Sequence, residues 1–109
     1  MNPTILLTFS TCRDAVTADR IAEALVSEGL AACVNQLPGV RSVFLWQGRV
    51  ERESEILLLM KTTEARFPAL SERLRALHPY ELPEIIAVPV TTGLPEYLQW
   101  VSKCTAVDV

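Results

Sequence analysis

The sequence predicts an α+β fold, built on a four-stranded antiparallel sheet with its two main helices packed on one face. Two observations support this prediction. Short apolar segments rich in β-forming residues alternate with segments whose apolar residues recur at helical spacing, in the order β-α-β-β-α-β followed by a last helix. The stretch from Val40 to Thr63 is predicted to form one extended hairpin that joins the second and third strands. This order of elements is typical of the ferredoxin-like βαββαβ arrangement.

The first half of the chain supplies a strand, a helix and the start of a second strand. Thr4 to Ser10 is a short apolar run that predicts a central strand, and Asp14 is suited to cap the helix that follows. Gly29 marks the expected end of that helix. Ala31 to Leu37 begins the second strand, and Pro38-Gly39 predicts a bulge, because proline cannot donate a hydrogen bond to a regular ladder.

The hairpin is predicted to turn at Gln47-Gly48, because a glycine flanked by β-forming residues favours a tight turn. The resulting register pairs Trp46 with Arg49, Phe44 with Glu51, Ser42 with Glu53 and Val40 with Glu55, and leaves Val43 and Leu45 opposite Arg52 and Val50 on the other face. Further along, Ile56 to Met60 is apolar at both parities, which predicts burial on both faces of the sheet.

The length of this hairpin predicts an oligomer. Val50 to Thr63 as a single strand spans about 45 Å at about 3.3 Å per residue. A compact chain of this size has a diameter of only about 34 Å. The hairpin therefore extends beyond its own domain as an arm, and its exposed strand edges and aromatic residues favour pairing with another chain.

The second half of the chain supplies a helix, a strand and a last helix. Apolar residues at helical spacing from Phe67 to Leu77 predict a helix that ends at His78-Pro79. Glu84 to Thr92 is predicted to be the fourth strand, with Pro89 at an edge or bulge position. Pro95 opens the last helix as a first-turn residue. Four side chains are expected to pack this helix against the domain: Tyr97, Leu98, Trp100 and Val101.

Composition predicts one globular domain over residues 1–109 and excludes several classes of protein. Ten basic and 13 acidic residues give a net charge of −3, which argues against nucleic acid as the main partner, because phosphate binding favours a basic surface. No apolar run approaches the roughly 18 residues of a membrane span. The three cysteines form no disulfide framework, and no cationic region precedes the first apolar stretch, so a cytoplasmic location is expected.

The segment from His78 to Glu84 is the first candidate for chemistry, because prolines hold it extended and it carries the only histidine, Tyr80 and two carboxylates. Its imidazole suits a metal or ligand site. The alternative is a rigid connector whose polar groups cap the preceding helix. One histidine without a neighbouring cysteine or second histidine favours that alternative. Cys12 follows the first strand, and a free cysteine is more often a small buried residue than a ligand.

The arm carries the remaining candidates. Glu51, Glu53 and Glu55 share one strand face, and they form either an acidic patch for cations or a solvated face that pairs with arginines of a neighbouring chain. Trp46 beside the turn is predicted to anchor an interface. Lys61 is either a strand-end charge or a group that holds an anion. No phosphate loop, HExxH or GxSxG motif is present, and nothing marks a serine partner for the histidine, so no enzyme is predicted.

Several segments taken together resemble one family. The run LVSEGLAACVNQLPGVRSVFLWQGRVERESEILLLMKTT, then HPYELPEIIAVPV and a closing YLQW, follow the order and spacing of the divalent-cation tolerance protein CutA family. The resemblance covers nearly the whole chain. The motifs LAACVN, W-x-G, LLMKTT and HPYELPE are jointly specific, although each of them alone is weak.

The resemblance implies a ferredoxin-like subunit in a tight homotrimer, in which each arm pairs with a neighbouring subunit. It also implies an association with copper or another divalent cation, and a likeness in architecture to the PII signalling proteins. The clefts between subunits, near Trp46, Lys61, Tyr80 and Glu84, are then the expected ligand site.

The copper ligands implied by the resemblance are only partly present. In the bacterial members linked to copper, ligation is attributed to a cysteine at the end of the first strand and to a His-His pair before Pro-Tyr. In this chain Ser10 stands at the position of that cysteine and Leu77 at the position of the first histidine. Of the implied ligands, only His78 is therefore present at the expected position. Cys12 shares a strand face with Ser10 and is the candidate substitute.

Two functional hypotheses follow. The first is a non-enzymatic cytoplasmic homotrimer of the CutA type that acts in metal-ion tolerance, with copper bound through His78 and Cys12. The second is a PII-like regulatory trimer that binds a small anionic ligand or a partner protein in its inter-subunit clefts. In that second hypothesis Lys61, Arg49 and Tyr80 contact the ligand.

Overall fold

The computed structural model describes residues 3–107 of the chain. Its elements are, in order, β1 (Ile5–Cys12), α1 (Ala15–Ser27), β2 (Cys33–Trp46), β3 (Arg49–Thr63), α2 (Phe67–Leu77), β4 (Ile86–Pro89) and α3 (Pro95–Cys104). The strands form one antiparallel sheet in the order β2-β3-β1-β4, which confirms the predicted ferredoxin-like α+β fold. The predicted single domain over residues 1–109 includes terminal residues outside the described range, and it stays a prediction.

The main core lies between one face of the sheet and the helices α1 and α2. We call this face the helix side; it carries alternate residues of β1 and β3, namely Thr8, Ser10, Cys12, Leu58 and Met60, all fully buried. The two helices contribute Ile21, Leu25, Leu70 and Leu74 to the same core. Each helical pair is spaced four residues apart and therefore lies on one stripe of its helix.

The start and end of α1 agree with the sequence prediction. The side chain of Asp14 accepts a hydrogen bond from the backbone N–H of Thr17 at 2.8 Å, which satisfies one of the free donors of the first turn. Gly29 follows the helix with a φ of 71°, a left-handed conformation that glycine adopts without a steric cost.

The predicted strand boundaries differ from the observed ones most at the end of β1 and at both ends of β4. β1 continues past Ser10 to Cys12, which pairs with Ile56 of β3. β4 contains only Ile86–Pro89 of the predicted Glu84–Thr92. It pairs with β1 over four residues and ends at Pro89, which cannot donate a ladder hydrogen bond.

The arm has the predicted turn, register and bulge. Gln47 and Gly48 have φ values of 51° and 78°, which are typical of a type I′ turn. Trp46 pairs with Arg49, and the other predicted pairs follow in order along the arm. The register shifts between Leu37 and Val40, at the predicted Pro38-Gly39 bulge. The molecule measures 46 × 25 × 22 Å, so the arm makes it about twice as long as it is wide.

The other face of the sheet has no helical layer over most of its area. We call it the outer face; it carries Leu7, Phe9, Leu57, Leu59, Ile86 and Val88, which the strand pairing places on one side. Leu57 and Leu59 are only half-buried, and Ile86 and Val88 are exposed. The prediction that Ile56 to Met60 is buried on both faces is therefore wrong for the single chain, because no element within residues 3–107 fully covers Leu57 and Leu59 on this side.

The last helix covers only one end of the outer face. Val101 of α3 is fully buried against Ile5 and Ala32. Tyr97 and Trp100 were expected to pack inward as well, but both are exposed, with their ring centroids 5.5 Å apart. An amphipathic helix presents a single stripe to the sheet, and these two residues lie outside that stripe. None of the helices within residues 3–107 is long and apolar enough to cross a membrane.

Candidate functional site

A cleft of about 1020 Å³ lies between the arm and the loop that joins α2 to β4. Three parts of the chain line it. The loop contributes residues from Pro79 to Glu84. The segment from the end of β1 to the start of α1 contributes Thr11, Arg13, Asp14 and Thr17. The arm contributes Ser42 to Trp46 and the three carboxylates Glu51, Glu53 and Glu55. The predicted candidates of the His78–Glu84 segment therefore lie next to those of the arm, and the cleft is the candidate functional site.

His78 is held by two backbone groups rather than by a ligand. Its Nε2 lies 2.7 Å from the carbonyl oxygen of Thr11, and its Nδ1 lies 3.1 Å from the backbone nitrogen of Tyr80. A carbonyl can only accept and a backbone N–H can only donate, so Nε2 carries the proton and Nδ1 uses its lone pair. No lone pair of this imidazole is left for a metal ion. His78 fastens the loop to the end of β1.

Cys12 lies at the same end of β1 but on the helix side. Its exposed fraction is 0%. Its thiol lies 3.8 Å from the backbone oxygen of Asp14. Burial raises the pKa of this thiol, and the carboxylates of Asp14 and Glu55 raise the pKa further. The thiolate is the form that binds metals, so this environment disfavours metal ligation by Cys12.

Tyr80 and Glu55 join the loop to the arm. The hydroxyl of Tyr80 donates a hydrogen bond of 2.7 Å to Oε2 of Glu55. Glu55 is only 6% exposed, although the sequence placed it with Glu51 and Glu53 either in an acidic patch or on a solvated strand face. Burial and the hydrogen bond to this carboxylate raise the pKa of Tyr80 well above its usual range. The pair therefore keeps a protonated phenol against a buried carboxyl group.

Arg13 places a guanidinium group inside the cleft. The central carbon of the guanidinium lies 5.6 Å from the centre of the Tyr80 ring, a distance typical of a cation–π contact. One of its nitrogens lies 3.8 Å from Oε1 of Glu53. The side chain of Arg13 is 64% exposed, so this ion pair is weak and easily displaced.

The lining of the cleft is strongly acidic. Six carboxylates line it: Asp14, Glu51, Glu53, Glu55, Glu81 and Glu84. The backbone N–H of Thr17 bonds the carboxylate of Asp14 and lowers its pKa. Arg13 is the only basic residue of the lining in the part of the chain that the structure describes. Such a lining attracts cations and repels anions.

The structure brings together three of the four residues predicted for a ligand cleft. Trp46, Tyr80 and Glu84 line the cleft, but Lys61 does not. Lys61 lies six residues beyond Glu55 on β3, about 20 Å along the strand. Its Nζ donates a hydrogen bond to the side-chain oxygen of Asn35 and lies 3.8 Å from the sulfur of Cys33.

The predicted metal ligands do not form a metal site in the folded subunit. Within residues 3–107 no group of three or more histidine, cysteine, aspartate or glutamate side chains is arranged to hold a metal ion. Both nitrogens of His78 are in use, and Cys12 is buried as a thiol. The residues present therefore do not fit a copper ion held by these two side chains.

Sequence reasoning missed the parts of the site that depend on long-range contacts. Arg13 was not singled out, and Glu55 was grouped with two more exposed carboxylates. One signal could have separated Glu55: it is the last charged residue before the apolar run Ile56–Met60, where a strand enters the core. No local signal connects Tyr80 to Glu55, because the two residues are 25 positions apart.

Comparison with known protein families gives one match. A family described as CutA1 divalent ion tolerance protein matches residues 6–104. The divalent-cation tolerance protein CutA of Thermus thermophilus is 54% identical over 88 residues, which make up 81% of this chain and 85% of that protein. Protein CutA of Mus musculus is 46% identical over 97 residues, or 89% of this chain. The chain spans about half of that mouse protein, 55% of its length.

Solved structures agree with the sequence comparisons. CutA from Xylella fastidiosa has a TM-score of 0.91 and 52% identity, and the match covers 94% of this chain and 98% of that one. CutA1 from Oryza sativa has a TM-score of 0.94 at 37% identity, with 98% of each chain covered. A relative from Arabidopsis thaliana is described as chloroplastic and one from Archaeoglobus fulgidus as periplasmic, so the expected cytoplasmic location stays a prediction.

Proposed function

Because the chain belongs to the CutA1 family of divalent ion tolerance proteins, we propose that it acts in divalent-cation tolerance as a non-enzymatic homotrimer. In this proposal no copper ion is held by His78 and Cys12 in the folded subunit. The observation that carries the proposal is that, within residues 3–107, the far end of the arm and most of the outer face of the sheet stay exposed.

The outer face supports assembly through its apolar side chains. Leu7, Phe9, Leu57 and Leu59 are half-buried there, and Ile86 and Val88 are more exposed. Together they form a continuous apolar patch across three neighbouring strands, and such patches on a folded chain mark interfaces. A closed ring of subunits would cover this patch and would also protect the exposed edges of the arm.

Sedimentation velocity over a dilution series tests the homotrimer. We expect a single species with three times the mass of the chain at micromolar concentration. A monomer at that concentration would contradict the proposal, because the outer face would then be stable in water without a partner.

The absence of an enzymatic role is supported by the state of His78. It is the only histidine in the sequence, and both of its ring nitrogens are bonded to backbone groups. It is therefore not available as a general base for a serine or cysteine nucleophile.

Copper binding is tested by titration of the purified protein under reducing conditions in the presence of a competing chelator. The titration compares the wild type with His78→Ala and Cys12→Ala. We expect no binding by the wild type above the level of His78→Ala. Saturable binding at one site per subunit, lost in either variant, would show that the two residues rearrange to bind copper and would contradict this part of the proposal.

A second candidate function is that of a PII-like regulatory trimer that binds a ligand or a partner protein in its clefts. The cleft between the arm and the loop favours it, with Trp46, Tyr80 and Glu84 in the lining. A thermal-shift screen against nucleotides, small carboxylates and organic cations tests it. A rise with the anions that Lys61→Ala abolishes would support the predicted anionic ligand at Lys61, outside this cleft. A rise with the organic cations would support a ligand in the acidic cleft itself. No shift with any compound would argue against this function.

A further inference from the structure

Three of the carboxylates in the cleft follow one another along the arm. Glu51, Glu53 and Glu55 are alternate residues of β3, and all three line the cleft. Alternate residues of a strand point to the same face and lie about 6.6 Å apart. Within residues 3–107 no three acidic, histidine or cysteine side chains are arranged to hold a metal ion. The arm therefore presents a row of spaced negative charges and not one compact cluster.

The inner end of this row has an acceptor that is not in use. Glu55 lines the cleft and is only 6% exposed. Its Oε2 accepts the hydrogen bond from Tyr80 at 2.7 Å, and no group of the residues that the structure describes donates a hydrogen bond to its Oε1. Burial penalises a carboxylate that lacks donors, so a cation placed beside Oε1 would be favoured.

Arg13 shows how the cleft holds an organic cation. Its guanidinium carbon lies 5.6 Å from the centre of the Tyr80 ring, and one of its nitrogens lies 3.8 Å from Oε1 of Glu53. An aromatic face beside a carboxylate is suited to ammonium and guanidinium groups. The side chain of Arg13 is 64% exposed, so a ligand of the same charge can displace it.

Aromatic rings lie beside the row of carboxylates. The strand pairing places Phe44 opposite Glu51, and Trp46 follows two residues later on the same face of β2. Both rings line the cleft and are more than a third exposed. They offer apolar surface to an aliphatic chain that joins charged groups, whereas a hydrated metal ion would make no use of that surface.

We propose that the cleft binds a linear aliphatic polyamine. Its ammonium groups lie against Glu51, Glu53 and Glu55, and its methylene groups lie against the rings of Phe44 and Trp46. Four methylene groups separate two nitrogen atoms by about 6 Å in an extended chain, which is close to the spacing of the carboxylates. This inference rests on the second candidate function and names the class of its ligand, which is opposite in charge to the predicted anionic ligand.

Isothermal titration calorimetry with spermidine tests the proposal on the protein in its own oligomeric state. Spermidine is a linear triamine whose nitrogens are separated by three and by four methylene groups. At an ionic strength of about 0.15 M we expect saturable binding at one site per subunit. Butylamine carries one ammonium group and should bind at least about tenfold more weakly, because it pairs with a single carboxylate. Magnesium at the same ionic strength should also bind more weakly, since it gains nothing from the rings.

Charge removal in the cleft gives the first comparison between variants. Glu51→Gln with Glu53→Gln should lower the affinity for spermidine by about tenfold or more. Glu64→Gln with Glu72→Gln removes the same charge at exposed positions outside the cleft, and we expect it to leave the affinity unchanged. Equal weakening in both double variants would overturn the proposal, because binding would then follow net charge.

Removal of Arg13 gives a comparison of opposite sign. Arg13→Ala frees the ring of Tyr80 and the carboxylate of Glu53, and it should raise the affinity for spermidine by about threefold or more. Arg75→Ala removes the same charge from the exposed surface of α2 and is the control. An affinity that rises equally in both variants would contradict the role of Arg13 as a group that occupies the ligand position.

The comparison of ligands on the wild type needs no variant and covers the case in which a variant does not fold. Butylamine or magnesium that binds as tightly as spermidine would overturn the proposal. No binding of spermidine would overturn it as well, but a thermal shift with another compound would leave the second candidate function in place. No shift with any compound would contradict both.

Discussion

Thr8 and Thr62 are both fully buried on strands of the helix side, but only one of them has a hydrogen-bond partner. The hydroxyl of Thr62 donates to the carbonyl oxygen of Leu30 at 2.7 Å. Thr8 Oγ1 and Ser10 Oγ are buried, and they have no hydrogen-bond partner among the residues that the structure describes. A buried polar atom stabilises the fold when it is hydrogen-bonded and destabilises it when it is not. The hydroxyl of Thr62 should therefore raise the free energy of unfolding, and the hydroxyl of Thr8 should lower it.

Replacing these threonines with valine tests that difference. Thr8→Val removes an unpaired hydroxyl and should raise the free energy of unfolding by about 1 kcal/mol. Thr62→Val, its matched control, leaves the oxygen of Leu30 unpaired and should lower it by about 1–3 kcal/mol. Urea denaturation at one fixed protein concentration measures both changes. A change of the same sign in both variants would contradict the explanation.

Tyr80 provides a second test at the residue scale. Tyr80→Phe leaves a carboxylate oxygen of Glu55 without its donor, and should lower the free energy of unfolding by about 1.5–3 kcal/mol at neutral pH. The pKa of Tyr80 is raised in the folded protein. Its contribution is therefore present below the unfolded value of about 10 and is lost as the pH rises above it.

The difference in stability between the wild type and Tyr80→Phe should accordingly shrink above pH 10. Thermal melts of both proteins between neutral and strongly alkaline pH measure this difference. A difference that stays constant over the whole range would show that the phenol proton has no part in holding the loop to the arm.

At the scale of elements, the arm depends on its turn. Gln47 and Gly48 both have positive φ, and only glycine adopts such a conformation without cost. A Cβ added to Gly48 would meet no atom within 4 Å, so its substitution tests backbone conformation alone. The turn sets the register of every later pair and therefore decides which residues of the arm face the cleft.

Two single changes at the turn should act in opposite directions. Gln47→Asn places the preferred Asn-Gly pair in the type I′ turn and should raise stability by a few tenths of a kcal/mol, roughly. Gly48→Ala should lower stability by about 1–2 kcal/mol, because alanine resists a left-handed conformation. Thermal denaturation measures both. An unchanged melting temperature in Gly48→Ala would mean that the turn relaxes to another type.

At the scale of the whole molecule, the arm and the outer face are the surfaces that the proposed homotrimer would cover. Trp46 lies near the tip of the arm and is 37% exposed in the single chain. Shortening this side chain should therefore remove little buried surface from the core of its own subunit. In the single chain it lines the cleft between the arm and the loop, and the resemblance implies that this region lies between subunits.

Trp46→Ala should therefore weaken assembly more than it unfolds the subunit. We expect the half-dissociation concentration to rise by about tenfold or more, as for a buried interface aromatic, with little change in far-UV circular dichroism. Val16→Ala shortens an exposed apolar side chain on α1 and serves as the control. Unchanged dissociation of the Trp46 variant would place this residue outside the interface.

The elements whose formation depends on neighbouring residues could be predicted from the sequence. The cap at Asp14, the turn at Gln47-Gly48 and the register of the arm all follow from residues a few positions apart. The end of β4 could not be predicted, because it depends on how far β1 runs beside it. The prediction that Trp100 packs inward was wrong for a similar reason. Helical periodicity does not show which part of an apolar stripe a sheet will cover.

The candidate site could be predicted only in its parts. His78, Tyr80, Trp46 and Glu84 were recognised as candidates, and the last three do share one cleft. The hydrogen-bond partners of these side chains could not be predicted from the sequence. The imidazole of His78 is occupied by a carbonyl 67 positions away, and a contact of that range leaves no local pattern.

The sequence by itself determined the order of the elements, the long arm with its turn and bulge, and the family to which the chain is similar, because these depend on local spacing and on motifs. Tertiary structure alone decided that Glu55 is buried, that both ring nitrogens of His78 are hydrogen-bonded and that Cys12 is a buried thiol. It also decided that the outer face is uncovered. Burial and hydrogen bonding depend on residues brought together from distant parts of the chain, and they set the charge state and availability of each group.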